Sequence, residues 1–171
     1  GIAVVITLSA VYAQLVMKFT TAQTITLILV VNITAAIGAF VFGYVQDRLG
    51  HKKTLALTIL LWIIMGVMAA FSHGPVSFWI AANIAGIAMG SSQSAGRAVV
   101  AVFAPAGELA QFYSAWNVAV WGANVLGPIT YGTVTWLTSG DQRTAILVTT
   151  LFFVIGLLIL RRVHLPSKTV C

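Results

Sequence analysis

A short polar interruption at residues 43–55 decides how this chain folds, and it reads GYVQDRLGHKKTL. It stands between two long stretches without formal charge, residues 19–46 and 54–96. A helix rises about 1.5 Å per residue, so about 20 apolar residues cross the hydrocarbon core of a bilayer. We therefore interpret the interruption as a tight turn that joins two membrane-spanning helices on one side of the membrane.

The composition also predicts a membrane protein. Of the 171 residues, 60% are hydrophobic and 7% are charged, whereas a soluble domain averages about 25% charged residues. So few charges could not cover the surface of a soluble fold, and such high hydrophobicity excludes intrinsic disorder. The single cysteine, Cys171, excludes a disulfide framework and a cysteine metal cluster.

Charges and turn residues divide the chain into six hydrophobic segments. The stretch 54–96 is too long for one crossing, and SHGP at residues 72–75 splits it because glycine and proline mark turns. The predicted spans are 1–17, 19–46, 54–71, 76–95, 109–140 and 144–160. The predicted fold class is an all-α membrane protein with six transmembrane helices. Residues 1–165 form the bundle, with a truncated first helix, and residues 166–171 form a short tail.

The basic residues predict the orientation, because cytoplasmic loops carry an excess of Lys and Arg. Seven bases fall at one set of segment ends, and two fall at the other set. The first set comprises Arg48, Lys52, Lys53, Arg97, Arg161, Arg162 and Lys168, and the second comprises Lys18 and Arg143. The loop 47–53, the connector 97–108 and the C-terminus are therefore expected to be cytoplasmic. Bases placed at the ends of apolar runs also argue against a nucleic-acid partner.

Residues 43–55 resemble the signature G-x-L-x-D-R-x-G-R-K-x-x-L of the major facilitator superfamily. The matching residues are Gly43, Asp47, Arg48, Gly50 and Lys52. Val45 and His51 stand where the signature has Leu and Arg.

The resemblance implies that the five matching residues form a conformational latch. Gly43 would let a neighbouring helix approach closely, and Gly50 suits a turn with a positive φ angle. Asp47 could sit at the positive end of another helix, and Arg48 could hold a carboxylate or a helix C-terminus. The alternative is that the cluster only sets the topology.

Residues 86–97, GIAMGSSQSAGR, resemble the tenth helix of the vacuolar amino-acid effluxer-like branch of that superfamily, whose bacterial members are often called the unknown major facilitator family. The connector with Pro105 and Glu108 and the Leu-Gly-Pro at 126–128 are similar to that branch as well.

This resemblance implies the C-terminal six-helix half of a twelve-helix transporter, with the missing N-terminal half as its partner in the bilayer. It implies alternating access and an amino-acid-like solute, in a bacterial plasma membrane or a eukaryotic vacuolar-type membrane. An N-terminal half, or a non-transporting receptor or scaffold, are the alternatives. The sequence has no P-loop, nucleophile–base pair or metal-ligand cluster, so neither an enzyme nor a cofactor is predicted.

Segment 109–140 carries one polar helical face. Its members recur at spacings of three and four residues, namely Tyr113, Asn117, Trp121, Asn124, Pro128 and Tyr131. Pro128 has no N–H, so the carbonyl of Asn124 loses its helical hydrogen bond. Amides in hydrocarbon need polar partners. Either this face lines a solute cavity, or its amides bond across a helix interface. The predicted cavity residues are Gln93, Asn117, Trp121 and Asn124.

Segment 76–95 carries a second stripe that continues beyond its end. Gly86 and Gly90 form a G-x-x-x-G motif that permits close helix approach, and Gln93 and Arg97 follow on the same face. Arg97 either extends to the membrane interface or acts in gating. The connector residue Glu108 is a candidate for the same two roles. Three tryptophans near span ends are predicted to be membrane-interface anchors, namely Trp62, Trp79 and Trp136.

Overall fold

The computed structural model describes residues 18–72, 74–105 and 107–163. Five α-helices make up these ranges: α1 Thr21–Leu49, α2 His51–Ala70, α3 Pro75–Phe103, α4 Leu109–Leu137 and α5 Gln142–Arg162. They correspond to the second to sixth predicted segments, so the all-helical prediction is confirmed for the described residues. The first predicted segment and the tail 166–171 lie outside them.

A single residue, Gly50, joins α1 to α2. The predicted loop 47–53 is too long, because Asp47 and Arg48 lie in the last turn of α1 and Lys52 lies in the first turn of α2. Gly50 has φ 80° and ψ 164°, a region that residues with a Cβ avoid. The predicted positive φ angle is therefore confirmed. The Gly50 N–H donates to the Gln46 carbonyl at 3.0 Å, which closes the end of α1.

Helix α3 runs eight residues beyond its predicted end at Ala95, to Phe103. Arg97 therefore lies inside the helix, and the connector 97–108 shortens to residues 104–108. The helix ends where Ala104 turns extended, with φ −73° and ψ 124°. Ala104 precedes Pro105, whose ring disfavours a helical conformation of the residue before it.

Helix α5 begins at a side-chain cap. The Asp141 carboxylate accepts the N–H of Arg143 at 3.0 Å and the hydroxyl of Thr144. The Thr144 hydrogen bond holds the pKa of Asp141 below its ordinary value, because it stabilises the ionised carboxylate. A negative side chain at this position also opposes the positive end of the helix dipole.

Short connections place the helix termini alternately at two ends of the bundle, which we call the Gly50 end and the Gly74 end. Six described bases lie toward the Gly50 end: Arg48, Lys52, Lys53, Arg97, Arg161 and Arg162. Lys18 and Arg143 lie at the Gly74 end. Helix α3 is central and packs on α1, α2 and α4, while α5 packs on α2 and α4.

The core between α2 and α3 is built around Trp62, which is 2% exposed. Its ring stacks on Phe153 of α5 with the ring centroids 5.2 Å apart. Its indole N–H donates to the Ser92 hydroxyl at 2.9 Å. The prediction that Trp62 anchors the membrane interface is therefore wrong. Trp136, near the end of α4, is 80% exposed, as an interface anchor requires.

Three of the five helices, α1, α2 and α5, are long and apolar enough to cross a membrane by length and composition. Helices α3 and α4 each contain 29 residues, but serines, amides and glycines make them less apolar. These are the two helices that carry the predicted polar stripes.

Candidate functional site

The turn between α1 and α2 is held together by Gln46, a buried amide in the last turn of α1. Its Nε2 lies 2.6 Å from Nδ1 of His51 and 3.5 Å from the carbonyl oxygen of Ala95 on α3. Gln46 thus links α1, the first residue of α2 and α3. Sequence reasoning missed this role, because Gln46 occupies a position that the signature leaves free. The only signal was an amide next to a run of charges.

Lys52, a signature residue, caps α5, the last of the described helices. Its ammonium donates to the carbonyl oxygens of Arg161 at 3.0 Å and Val163 at 2.7 Å. The final carbonyls of a helix have no partner within the helix, and a cation there opposes the negative end of its dipole. Lys52 therefore fixes the C-terminus of α5 beside the N-terminus of α2.

The same two helices are also joined at the Gly74 end, where the cation belongs to α5 and the carbonyl lies just after α2. Arg143, in the first turn of α5, donates from Nη2 to the carbonyl oxygen of Ser72, just beyond α2, at 3.1 Å. Each helix thus carries a cation in its first turn that caps the end of the other. Between the two caps, Gly66 of α2 lies against Thr150 of α5.

Three other signature residues, Gly43, Asp47 and Arg48, lie in α1. Asp47 and Arg48 are exposed in the last turn of α1. A Cβ added at Gly43 would meet nothing within 4 Å among the described residues. The role of Gly43 in admitting a neighbouring helix therefore stays a prediction.

Glycines bring α1 and α3 into backbone contact. A Cβ on Gly86 would meet the carbonyl oxygen of Val31 at 2.6 Å, and a Cβ on Gly38 would meet that of Ile87 at 2.6 Å. Gly90 faces the backbone of Ala35 in the same way. The close approach predicted from G-x-x-x-G is confirmed.

The polar face of α4 is fixed at its two ends and open in the middle. The Tyr113 hydroxyl donates to the Arg97 carbonyl at 3.0 Å, and the Tyr131 hydroxyl donates to Oε1 of Gln142. Three residues lie between these anchors and are exposed: Asn117, Trp121 and Asn124. Trp121 is 71% exposed. The two tyrosines are therefore bonded to neighbouring segments, and the middle of the face is exposed among the described residues.

Gln93 of α3 is directed toward the same open region. Gly90 receives α1, and Gly96 receives the Trp116 ring of α4 at 2.6 Å from an added Cβ. At about 100° per residue these two contact directions lie about 120° apart, with Gln93 midway between them. The antiparallel contact of Arg97 with Tyr113 also brings Gln93 and Asn117, one turn along each helix, to the same level.

The two candidate gating residues lie at the Gly50 end of this region. Arg97 is exposed, and its backbone carbonyl is the acceptor for Tyr113. Glu108 is exposed immediately before α4, and its side chain does not cap that helix. Its carbonyl oxygen accepts the N–H groups of Gln111 and Phe112. Both side chains are thus accessible from the bundle surface.

A shallow depression of about 520 Å³ lies at the other end, between α4 and α5. It is lined by Tyr131, Gly132, Thr135, Trp136, Ser139, Gly140 and Gln142. None of the predicted cavity residues belongs to it. Across the described residues, no three His, Cys, Asp or Glu side chains lie together as a metal-ligand set.

The sequence model for vacuole effluxer Atg22-like proteins matches residues 1–170. The chain belongs to this family. The Atg22-like chain is also 27% identical over 169 residues to an uncharacterised transporter of the major facilitator superfamily type, YxiO of Bacillus subtilis. The match covers 99% of the chain and 39% of YxiO. The chain is also 33% identical over 133 residues to a Haemophilus influenzae protein whose name assigns it provisionally to metabolite transport. That match covers 75% of the chain and 32% of the Haemophilus protein.

The fold of the Atg22-like chain is that of the major facilitator superfamily. It superposes on the proton:xylose symporter XylE, solved with 6-bromo-6-deoxy-D-glucose, with a TM-score of 0.79 at 18% identity. That match covers 95% of the chain and 41% of XylE. The chain therefore spans about two fifths or less of the proteins it matches. The predicted membership of a membrane transporter superfamily is confirmed, and its relatives are transporters rather than enzymes.

Proposed function

We propose that the chain is the C-terminal six-helix half of a secondary transporter that moves a small, amino-acid-like solute by alternating access. The observation that carries the proposal is the exposed face of Asn117, Trp121 and Asn124 in the middle of α4. In a helix within a membrane, an exposed amide costs free energy unless it meets a polar partner. A water-filled solute pathway supplies such a partner, whereas lipid does not.

The chemistry of this face suits an amino-acid-like solute. Each Asn side chain has two donors and an acceptor, so it can bond a carboxylate or an ammonium group. The indole ring of Trp121 can hold a cation over its face. Gln93 lies across from these groups at the level of Asn117. The family description, an effluxer, favours export as the direction.

The signature residues Gly43, Asp47, Arg48, Gly50 and Lys52 are proposed as the latch of this transporter. Asp47 and Arg48 are exposed at the Gly50 end, on the side of the bundle where the signature would act on an N-terminal half. Arg97 and Glu108, at the same end, are proposed to act in gating or at the membrane interface. The gathering of six bases there favours a cytoplasmic Gly50 end, and the bacterial relatives favour a bacterial plasma membrane.

The test is a flux assay on the full-length protein in liposomes with a panel of labelled amino acids. A lost hydrogen bond to a charged solute group costs about 1.5–3 kcal/mol, or roughly ten- to a hundred-fold in affinity. Asn124→Ala should raise the half-saturating concentration by that factor and leave folded yield unchanged. Asn83→Ala is the matched control, because Nδ2 of Asn83 bonds within its own helix to the Trp79 carbonyl at 2.8 Å.

Each failure of this test has a distinct meaning. Flux of other metabolites without amino-acid flux would refute the solute class and leave the transporter intact. Solute binding without any flux would favour the receptor or scaffold alternative. If Asn124→Ala reduces folded yield and leaves the affinity of the remaining protein unchanged, the amide packs against another helix and does not line the cavity.

A further inference from the structure

Lys52 gathers basic side chains from two distant parts of the chain. Because its ammonium bonds the carbonyls of Arg161 and Val163, the N-terminus of α2 and the C-terminus of α5 lie side by side. Lys53, Arg161 and Arg162 are therefore brought to one corner of the Gly50 end, and all three are exposed. We call these three residues the basic corner.

The charge of the basic corner has no counterpart on its own helices. Neither α2 nor α5 contains an Asp or a Glu. Two of the three N–H donors of Lys52 are directed at carbonyls, which leaves its charge close to the corner. Like charges held together in this way repel one another, so an anion bound among them would lower the electrostatic free energy.

Exposed apolar side chains continue from the basic corner along both helices. Leu57, one turn from Lys53, is 38% exposed, and Leu158, one turn from Arg162, is 55% exposed. Residues four apart in a helix share a face. Both helices are apolar and long enough to span a membrane. On each helix, exposed apolar side chains therefore follow the cations at its end.

We propose that the basic corner binds the headgroup of an anionic phospholipid, with its hydrocarbon lying against the exposed apolar side chains of α2 or α5, such as Leu57 or Leu158. A phospholipid has the matching order of groups, an anion followed by hydrocarbon. Basic residues next to a span contribute about five-fold each to binding of an anionic membrane surface, since 1 kcal/mol per residue corresponds to that factor. Three such residues give a preference on the order of a hundred-fold over a zwitterionic lipid.

The experiment uses the purified full-length protein in micelles with equal amounts of phosphatidylglycerol and phosphatidylcholine. Native mass spectrometry counts the lipids of each kind that remain bound. The wild type should retain phosphatidylglycerol preferentially, and Lys53→Gln should weaken this preference about five-fold. Lys18→Gln removes the same exposed charge at the Gly74 end and should leave the preference unchanged. Replacing both arginines, Arg161→Lys with Arg162→Lys, keeps the charge and should preserve most of the preference.

Three outcomes would overturn the proposal. The first is equal retention of the two lipids by the wild type. The second is an equal loss of preference in Lys18→Gln and Lys53→Gln, which would reflect net charge only. The third is displacement of phosphatidylglycerol by an equal concentration of soluble glycerol phosphate, which would show that the corner takes a free phosphate and gains nothing from the acyl chain.

Discussion

Gly38→Ala tests the contact between α1 and α3 most directly, because the methyl group it adds has no space to occupy. The new Cβ would lie 2.6 Å from the carbonyl oxygen of Ile87 and 2.8 Å from its Cα. Ordinary contact begins at 3.4 Å, so the shortfall is about 0.8 Å. The obstacle is helix backbone, which cannot rotate away as a side chain does. The two helices must therefore separate.

The magnitude follows from that separation. A gap of 0.5–1 Å forfeits about a quarter to a half of the dispersion energy at each contact it opens. Overpacking of this kind costs about 1–3 kcal/mol. Gly156→Ala on α5 is the matched control, because a Cβ there meets nothing within 4 Å. It should gain about 0.5–1 kcal/mol, since alanine favours the helix over glycine. The two variants should differ by about 1.5–4 kcal/mol.

The assay is the unfolding free energy of the full-length protein in detergent, measured by titration with a denaturing detergent and followed by helix content. Gly38→Ala should unfold earlier than the wild type, and Gly156→Ala should unfold later. If the two alanine variants unfold together, the tight contact at Ile87 is not part of the folded protein. If Gly38→Ala gives no folded protein while Gly156→Ala folds normally, that result agrees with the predicted order of stability.

Two further predictions concern residues on either side of the Gly50 turn. Lys53→Cys, in a Cys171→Ser background, should resist an impermeant thiol reagent in intact cells and react after lysis, because the excess of bases favours a cytoplasmic Gly50 end. Labelling in intact cells would show that the Gly50 end faces outward. Asp47→Asn should slow transport while the solute affinity stays within a few-fold, because a latch acts on the conformational step; weakened affinity with normal turnover would instead make Asp47 a ligand.

The turn at Gly50 and the order of the helices could be predicted because they depend on local chemistry. A glycine between two apolar runs marks a tight turn wherever the rest of the chain goes. The predicted end of α3 is eight residues too early, because the prediction places it next to the charge of Arg97. A charge does not end a helix, since the backbone hydrogen bonds are satisfied all the same. The ring of Pro105 does end it, because the ring disfavours a helical conformation of Ala104. That proline is visible in the sequence.

The contacts of Lys52 and Trp62 could not be predicted. The acceptors of Lys52 are backbone carbonyls 109 and 111 residues away. Every residue has such a carbonyl, so the sequence does not show which ones accept a hydrogen bond. Trp62 is buried because α3 and α5 both pack over it, which depends on which helix face meets which neighbour. On α4, the spacing predicted a shared face. It could not show that Tyr113 and Tyr131 are bonded while Asn117 and Asn124 are exposed.

The glycine contacts between α1 and α3 also limit how these helices can move. The two helices run in the same direction, since Gly86 meets Val31 and, further along both, Ala95 meets Gln46. Backbones that touch at several levels cannot rotate or slide past each other without a clash. A displacement of α3 near Gln93 must therefore be carried by α1 as well, and α1 ends directly at Gly50. A movement of α3 beside the polar face of α4 would therefore also displace the turn at Gly50.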